Sequence, residues 1–456
     1  MLVMKFGGSS LASGEALVRV AGLVGERVSR RPVVVVSAIG RTTDALVAAV
    51  ERAVGGQLQA ARQVVGAIRD DLYKTAGAVL TDASLLAGLL DRHVDDIDRL
   101  LIDLTTAEPQ RCHSLTDATL SHGERISSVV MTWLLQQQGF DAVHVDAREV
   151  LVTDDRFTEA APLYGPTNER LRDVVRPLCD VGRIVVLGGF IGRTLDGRTS
   201  TLGRGGSDLS ASVVAAGIEA DEIQIWTDVD GVMTADPAVV PDAKRLPWLS
   251  FTEASELAYF GARVLHPSTV WPAVDRNIPV RVLNSQKRDV EGTLIVAKDH
   301  PSPLTVKSIA YKEGITVIDI RSTRMLMNHG FLSAIFSVFE RLQTVVDVVS
   351  TSEVSVSLTI DRCDRLDQLI DELREIAEVS HTGGQAIVCL VGDAIRDTPG
   401  VAAATFAALG TINVRMVSQG SSRTNLSLVI DERDVRTAVA ALHRAFFGDV
   451  DLASFV

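Results

Sequence analysis

Leu2-Val3-Met4-Lys5-Phe6-Gly7-Gly8-Ser9-Ser10 is followed, after one helical interval, by Pro32-Val33-Val34-Val35-Val36-Ser37. The first stretch reads as a short buried strand that stops at a glycine pair. Leu17, Val20, Leu23, Val24 and Val28 then recur at helical spacing. Four consecutive valines bounded by Pro32 and Ser37 suit a parallel strand covered on both faces. Strand, helix, strand within residues 2–36 is a βαβ unit, so the chain opens as an α/β domain built on a mostly parallel sheet.

Working outward, residues 44 to about 105 are helical in pattern, with leucines at 85, 86, 89, 90, 100, 101 and 104, a helical excursion from the sheet. Gly123–Gln138 is expected as a helix, Ala142–Val145 and Arg183–Leu187 as strands, Ser207–Ala216 as a helix and Glu222–Trp226 as a strand. The strands near residues 187 and 226 run into Gly188-Gly189 and Thr227-Asp228-Val229-Asp230-Gly231. Ligands in open α/β sheets sit beyond such carboxyl ends.

Near residue 297 the segments become short and mixed. Strands are expected at 315–320, 345–349 and 354–360, with helices at 331–342 and 366–376. The same shape recurs as strands at 386–391, 412–417 and 426–430 and helices at 401–409 and 435–446. Val348-Val349-Ser350 with a strand ending at Asp361 is matched by Met416-Val417-Ser418 with one ending at Asp431. This is an internal repeat of about 70 residues, each copy reading as a βαββαβ unit with helices on one face of an antiparallel sheet. The first strand of each copy is left open, and one copy is allowed to be completed by chain from the other.

Composition bounds the function. The chain has 456 residues, 46% hydrophobic and 23% charged, with a formal net charge of −13. That balance argues against nucleic acid, which needs a basic footprint. Cys112, Cys179, Cys363 and Cys389 form neither a disulfide framework nor a zinc pattern, so no metal ligands are assigned. No stretch approaches 18 uncharged apolar residues and the start leaves no room for a signal peptide, so a cytoplasmic protein is expected.

Several glycine-rich or polar clusters carry chemistry. Lys5 precedes Gly7-Gly8, which can present backbone N–H groups to phosphate oxygens while Lys5 acts as a point charge; the plain alternative is a tight turn beside a surface lysine. In Gly203-Arg204-Gly205-Gly206-Ser207-Asp208 an arginine flanked by glycines can reach a ligand, although Asp208 also suits a helix cap. Thr227 to Asp230, with Asp236-Pro237 beyond, is an acidic turn able to contact a nucleotide. Glu124 opens a helix where it can accept from an ammonium, as first-turn glutamates also do for dipole reasons. No Gly-x4-Gly-Lys-Ser/Thr loop occurs, so a kinase here must neutralise phosphates with separated cations such as Lys5 and Arg263, beside a magnesium ion. His266, next to Pro267, reads as structural. A carboxylate nucleophile is already ionised at pH 7 and needs no general base.

In this order, Lys5-Phe-Gly-Gly-Ser-Ser10, Val35-Val36-Ser37-Ala38, Ser121-His-Gly-Glu124, Gly203-Arg-Gly-Gly-Ser-Asp208, Thr227-Asp-Val-Asp-Gly231 and Phe260-Gly-Ala-Arg-Val-Leu-His-Pro267, the chain resembles the aspartate kinase branch of the amino-acid kinase family. The match spans practically the whole chain. The resemblance implies an amino-acid kinase domain over 1–296, with its helical excursion at about 44–115, followed by ACT-like regulatory domains over 297–380 and 381–456. It implies phosphorylation of L-aspartate by ATP to 4-phospho-L-aspartate, the first step of the route to lysine, threonine and methionine.

By motif position, the resemblance gives Lys5, Asp208 and Arg263 catalytic roles and places Ser37, Thr43, Glu124, Arg204 and Ser207 around the substrate. Gly7, Gly8, Trp226, Thr227, Asp228, Asp230, Asp236 and Val264 fall around ATP, with Mg2+ held mainly by the nucleotide phosphates. The tail resembles that of single-function lysine-sensitive aspartate kinases, with Met325, Asn328, Phe331, Leu332, Val346, Asp347, Ser352 and Glu353 as effector contacts. It implies L-lysine as effector and a homodimer or homotetramer through the ACT domains. Packing of a dimer interface is the alternative use of those residues. Two departures stand out: Arg263 occupies a position where the family usually has lysine, and Ser9-Ser10 one where threonine-serine is frequent. A chain ending at 456 is expected to carry one activity, with no fused homoserine dehydrogenase. Rival readings are a family member acting on glutamate, acetylglutamate, carbamate or a nucleoside monophosphate, and a non-catalytic amino-acid-binding regulator.

Overall fold

The computed structural model describes residues 1–261, 267–297, 304–321, 330–361, 363–420 and 422–448. The chain divides into two compact units, Met1–Val232 with Pro247–Phe251 and Val264–Lys298, and Met233–Leu246 with Thr252–Arg263 and Asp299–Val456.

The strands of the first unit are β1 (Leu2–Phe6), β2 (Pro32–Val36), β3 (Ala142–His144), β4 (Val152–Thr153), β5 (Ile184–Gly188), β6 (Ile191–Thr194), β7 (Thr199–Thr201), β8 (Glu222–Thr227), β9 (Trp248–Ser250), β10 (Val280–Asn284) and β11 (Thr293–Val296). Eight form one sheet in the order β3-β5-β2-β1-β8-β10-β11-β9, parallel except for the β10–β11 pair. Alternation explains why the central strands are apolar throughout. Leu2, Met4, Phe6, Val34, Val36, Ile184 and Val186 join one core with the helices between residues 14 and 137. The intervening Val3, Val33, Val35, Val185 and Leu187 are equally buried on the other face. The expected excursion consists of the helices Thr42–Val54, Leu58–Gly77, Ala83–Leu104 and Pro109–Leu120. Ser13 and Asp82 cap their helices through the Ala16 and Leu85 N–H groups, and Pro109 sits in a first turn where its missing N–H costs nothing.

A small second sheet, β4-β6-β7, has no counterpart in the sequence reading. Its strands are two to four residues long, too short for alternation to register. It matters because β7 leads directly into Gly203-Arg204-Gly205-Gly206.

The second unit has one antiparallel sheet, ordered β13-β14-β12-β15-β17-β16, from β12 (Ser308–Arg321), β13 (Val346–Thr351), β14 (Ser355–Ile360), β15 (Glu378–Val391), β16 (Val414–Ser418) and β17 (Asn425–Asp431). Helices Phe331–Arg341, Leu366–Arg374, Val401–Leu409 and Val435–Phe447 complete it. Strands β12 and β15 are each 14 residues long and serve both copies of the repeat. The C-terminal half of β12 pairs with β14, while its N-terminal half pairs with the same part of β15 that pairs with β17. Two separate cores result, one around Ile318, Phe331, Val356 and Leu369, the other around Ile309, Val388, Leu428 and Leu442. The sequence reading began β12 at 315 and β15 at 386. Gly314, at φ +78°, and Gly384, at φ +65°, interrupt the alternation where the ladder slips register.

Candidate active site

The central parallel strands end together, and the polar turns beyond them converge. Ser37 N–H donates to Phe6 O at 3.0 Å, and Gly189 N–H to Val36 O at 2.8 Å. These bonds hold the turns after β1, β2 and β5 side by side. A cavity of about 330 Å³ opens there, lined by Lys5, Gly8, Ser37, Ala38, Gly40, Thr43, Glu124, Phe190, Gly203, Gly205, Gly206, Ser207 and Asp208.

Lys5 is the penultimate residue of β1, and its Nζ lies 2.6 Å from Asp208 Oδ1 in the first turn of the helix Gly206–Ile218. Ser37 Oγ donates to Ser207 Oγ at 3.0 Å. At Gly8 an added Cβ would fall 2.8 Å from the carbonyl oxygen of Gly40, so only glycine lets the two turns approach this closely. Glu124 is 3% exposed. Its Oε1 accepts from the Ala38 N–H at 3.1 Å, while Oε2 is buried with no hydrogen-bond partner. Burial pushes this carboxyl up to about 8, against the Ala38 N–H, which favours the charged form. The site therefore holds one cation paired with a carboxylate and one further carboxyl with an unused oxygen.

Arg204 is exposed, and the glycines on either side of it, rather than its own side chain, line the cavity. Trp226 is 0% exposed, stacked on Phe6 with centroids 5.9 Å apart, and carries the Arg27 guanidinium over its ring at 4.7 Å. It presents backbone beyond the strand ends, where its carbonyl accepts from Ser10 Oγ at 3.4 Å. In the acidic turn, Thr227 Oγ1 donates to Asp228 Oδ1 at 3.1 Å and Lys287 Nζ to Asp230 Oδ2 at 2.8 Å. Gly7 N–H donates to Trp226 O at 3.4 Å. Asp236 belongs to the second unit, where Tyr311 donates to it at 2.9 Å. Arg263, Val264 and His266 lie outside the described residues, as do Met325 and Asn328 of the effector set.

The remaining effector candidates share the second unit. Phe331 is buried and Leu332 half-exposed at the start of a helix whose N-cap is Gly330. Val346 and Asp347 open β13. Asp347 Oδ1 receives Tyr259 OH at 2.8 Å and Lys312 Nζ at 3.0 Å, while its Oδ2 is buried without a partner. Ser352 and Glu353 lie in the exposed turn to β14, with Ser352 Oγ 2.7 Å from Ser355 Oγ.

Sequence reasoning missed Phe190 and Gly40 in the cavity wall. Phe190 adopts φ +66° and donates its N–H to Ser210 Oγ at 2.9 Å; its place directly after Gly188-Gly189 was the available signal. It also missed the buried pair of His93 and His122, whose Nδ1 atoms are 2.6 Å apart beneath the Glu124 turn. Burial and Arg125 hold these rings down to about 3 and about 2, so both are neutral near pH 7. Among the described residues no group of three or more His, Cys, Asp or Glu could hold a metal ion, and no helix is long and apolar enough to cross a membrane.

The amino acid kinase family matches residues 1–284, and an ACT domain matches residues 388–446. Aspartokinase 2, chloroplastic, of Arabidopsis thaliana is 37% identical over 98% of this chain and 84% of that protein. The lysine-sensitive aspartokinase 3 of Escherichia coli is 37% identical over 77% of this chain and 81% of that protein. Two solved structures of E. coli aspartokinase III also match, each 35% identical and covering 98% of this chain. The complex with aspartate and ADP (R-state) gives a TM-score of 0.85 with 100% of that chain covered, and the complex with lysine and aspartate (T-state) gives 0.82 with 99%. The family match over residues 1–284 and the similarity to aspartokinases over 98% of the chain agree, and the chain belongs to the amino acid kinase family, among its aspartokinases.

Proposed function

We propose that the chain transfers the γ-phosphoryl group of ATP to the side-chain carboxylate of L-aspartate, giving 4-phospho-L-aspartate and ADP. A carboxylate oxygen of aspartate forms the new bond to phosphorus as the bond to the bridging oxygen of ADP breaks. The observation that carries this reading is the unpaired Oε2 of Glu124 in the same cavity as the Lys5–Asp208 pair. One end of that cavity suits an ammonium and the other suits an anion, as an amino acid phosphorylated on its side chain requires.

Lys5 stabilises the charge on the transferring phosphoryl, and Asp208 keeps its ammonium in place. The backbone of Gly7 and Gly8 approaches the phosphates, with the glycine at 8 letting its turn pack against that of Gly40. Glu124 takes the substrate ammonium, Arg204 folds onto the α-carboxylate as a bidentate clamp, and Ser37, Thr43 and Ser207 orient the rest. Trp226, Thr227, Asp228 and Asp230 border the nucleotide through strand-end backbone and the acidic turn, with Asp236, Arg263 and Val264 assigned there by motif alone. Mg2+ arrives on the nucleotide and supplies charge neutralisation of its phosphates.

In this reading residues 1–296 are the catalytic domain, and 297–380 and 381–456 are two ACT-like modules sharing β12 and β15. The two separate cores support two modules, although Ala235, Val240, Val306 and Ile309 pack in the core of the second one, so its boundaries are not contiguous in sequence. L-lysine is the proposed effector, with its ammonium on Asp347 and its carboxylate at the helix start after Gly330, and assembly is a homodimer or homotetramer through the ACT modules. The E. coli structure with lysine motivates the choice.

The test is the initial rate of ADP formation from MgATP with L-aspartate, with glutamate, and with lysine added. An aspartate-dependent rate, absent with glutamate and suppressed by lysine, is expected. No aspartate-dependent rate overturns the catalytic reading, and a rate indifferent to lysine overturns the effector.

A further inference from the structure

We infer that Asp117 is a positioning residue that sets the Gly203–Gly206 wall of the active site, a role resting on the aspartate kinase reading above. Asp117 lies in the helix Pro109–Leu120, is 0% exposed and does not line the cavity. Its carboxylate has no lysine or arginine partner among the described residues. Instead both oxygens accept from Thr158 N–H at 3.0 Å, Oδ2 from Thr201 N–H at 2.8 Å and Oδ1 from the Thr201 hydroxyl at 2.7 Å. Burial pushes this carboxyl up, while those donors and the charge of His113 hold it down. A buried carboxylate held mainly by neutral donors, with His113 as its one titratable neighbour of note, is costly where apolar packing would do, so what it holds is informative.

It ties together two segments distant in sequence. Thr201 ends β7, two residues before Gly203 of the cavity wall. Thr158 adopts φ +74°, a left-handed conformation unfavourable for a β-branched residue. Its carbonyl packs against Gly203, where an added Cβ would lie 3.1 Å from that oxygen. Thr201 O accepts Ala160 N–H at 2.9 Å, tying the two segments to each other as well. Gly206 N–H then bonds back to Gly203 O at 3.0 Å, and two residues later Asp208 meets Lys5. One carboxylate thus fixes the strand that enters the glycine turn and the strained residue that abuts it.

Asparagine can keep this arrangement, its oxygen accepting from the two N–H groups and its amide donating to a rotated Thr201 hydroxyl. Alanine leaves two buried N–H groups without acceptors. In the full-length protein, D117A is expected to raise KM for aspartate about tenfold while KM for MgATP moves less than about twofold, and D117N to stay within about twofold of the starting protein in both. T158G, which removes the strain that Asp117 restrains, is expected to return part of the lost aspartate affinity when combined with D117A. Hydrogen exchange read on the same proteins is expected to quicken for the amides of 156–160 and 201–206 in D117A and not in D117N.

A folded D117A with unchanged aspartate KM and unchanged exchange overturns the proposal. So does a D117N as impaired as D117A, or equal losses for both substrates. If D117A does not fold, T201V, which deletes only the hydroxyl donor, decides: a selective rise in aspartate KM supports the role, and none overturns it. Wild-type protein lacking aspartate-dependent turnover sinks the functional reading alone, and exchange in D117A against D117N then decides the positioning role.

Discussion

Lys5 Nζ stands 2.6 Å from Asp208 Oδ1, joining the end of the first strand to the first turn of a helix far along the chain. The ion pair holds the ammonium at the mouth of the phosphate-facing turns instead of letting a four-carbon stem sweep solvent. Lys5→Ala removes the charge, and Asp208→Asn leaves it but frees its position. Both are expected to lower kcat, on the order of 10²-fold or more, with Lys5→Arg unable to restore it because a planar fork does not replace a point charge. Steady-state kinetics check this; a Lys5→Ala enzyme within about threefold of the original would be incompatible with phosphoryl stabilisation by Lys5.

Glu124 makes binding and stability depend on pH in a defined direction. Its folded value is raised to about 8, above the ordinary carboxyl range, so the free site holds a proton at pH 7. Capturing a substrate ammonium there requires ionisation, and the aspartate dissociation constant should fall as pH rises toward 8 and then level. For stability the raised value means that the favourable contribution is full below the unfolded pKa and is lost as pH climbs through the folded one. Substrate-free protein should lose Tm progressively between about pH 5 and 8, and Glu124→Gln should flatten that slope. Calorimetric binding and thermal melts across the range measure both; a Glu124→Gln variant that keeps the original pH slope counts against the assignment.

Asp347 offers one occupied oxygen and one buried, unpaired oxygen. With Lys312 and Tyr259 on Oδ1, an effector ammonium has Oδ2 available. Asp347→Asn should raise the lysine concentration for half-inhibition by at least about tenfold, measured against its own uninhibited rate. Unaltered inhibition would remove Asp347 from the effector site.

Lys307 and Glu253 form an ion pair at 2.7 Å with side chains only 3% and 1% exposed. Removing one partner strands the other in a dry interior. Lys307→Met is expected to cost about 3–5 kcal/mol, and the double replacement Lys307→Met with Glu253→Leu to recover much of it. Urea unfolding gives the comparison. A single variant as stable as the starting protein would mean that water reaches the pair.

Much of the first unit was legible. Continuous apolar strands such as Val33–Val36 carry their burial in their composition, and glycine pairs mark where they stop. The repeat in the second unit was visible through paired segments such as Val346–Thr351 and Val414–Ser418. Its shared long strands were not, because Gly314 and Gly384 erase the period where one half passes into the other. The short β4-β6-β7 sheet escaped for want of length, and with it the role of Thr201.

The sequence by itself determined the βαβ opening, the order of the glycine turns, the helical excursion and the identity of Lys5, Glu124, Arg204 and Asp208 as candidates, because these depend on local periodicity and residue chemistry. The tertiary structure alone decided that Lys5 is paired to Asp208, that Trp226 faces inward, that one oxygen of Glu124 goes unsatisfied and that Asp117 anchors a turn distant in sequence. Those are relations between distant positions. A charge's partner, its solvation and hence its pKa are set by which surfaces meet in three dimensions, and a linear pattern does not contain them.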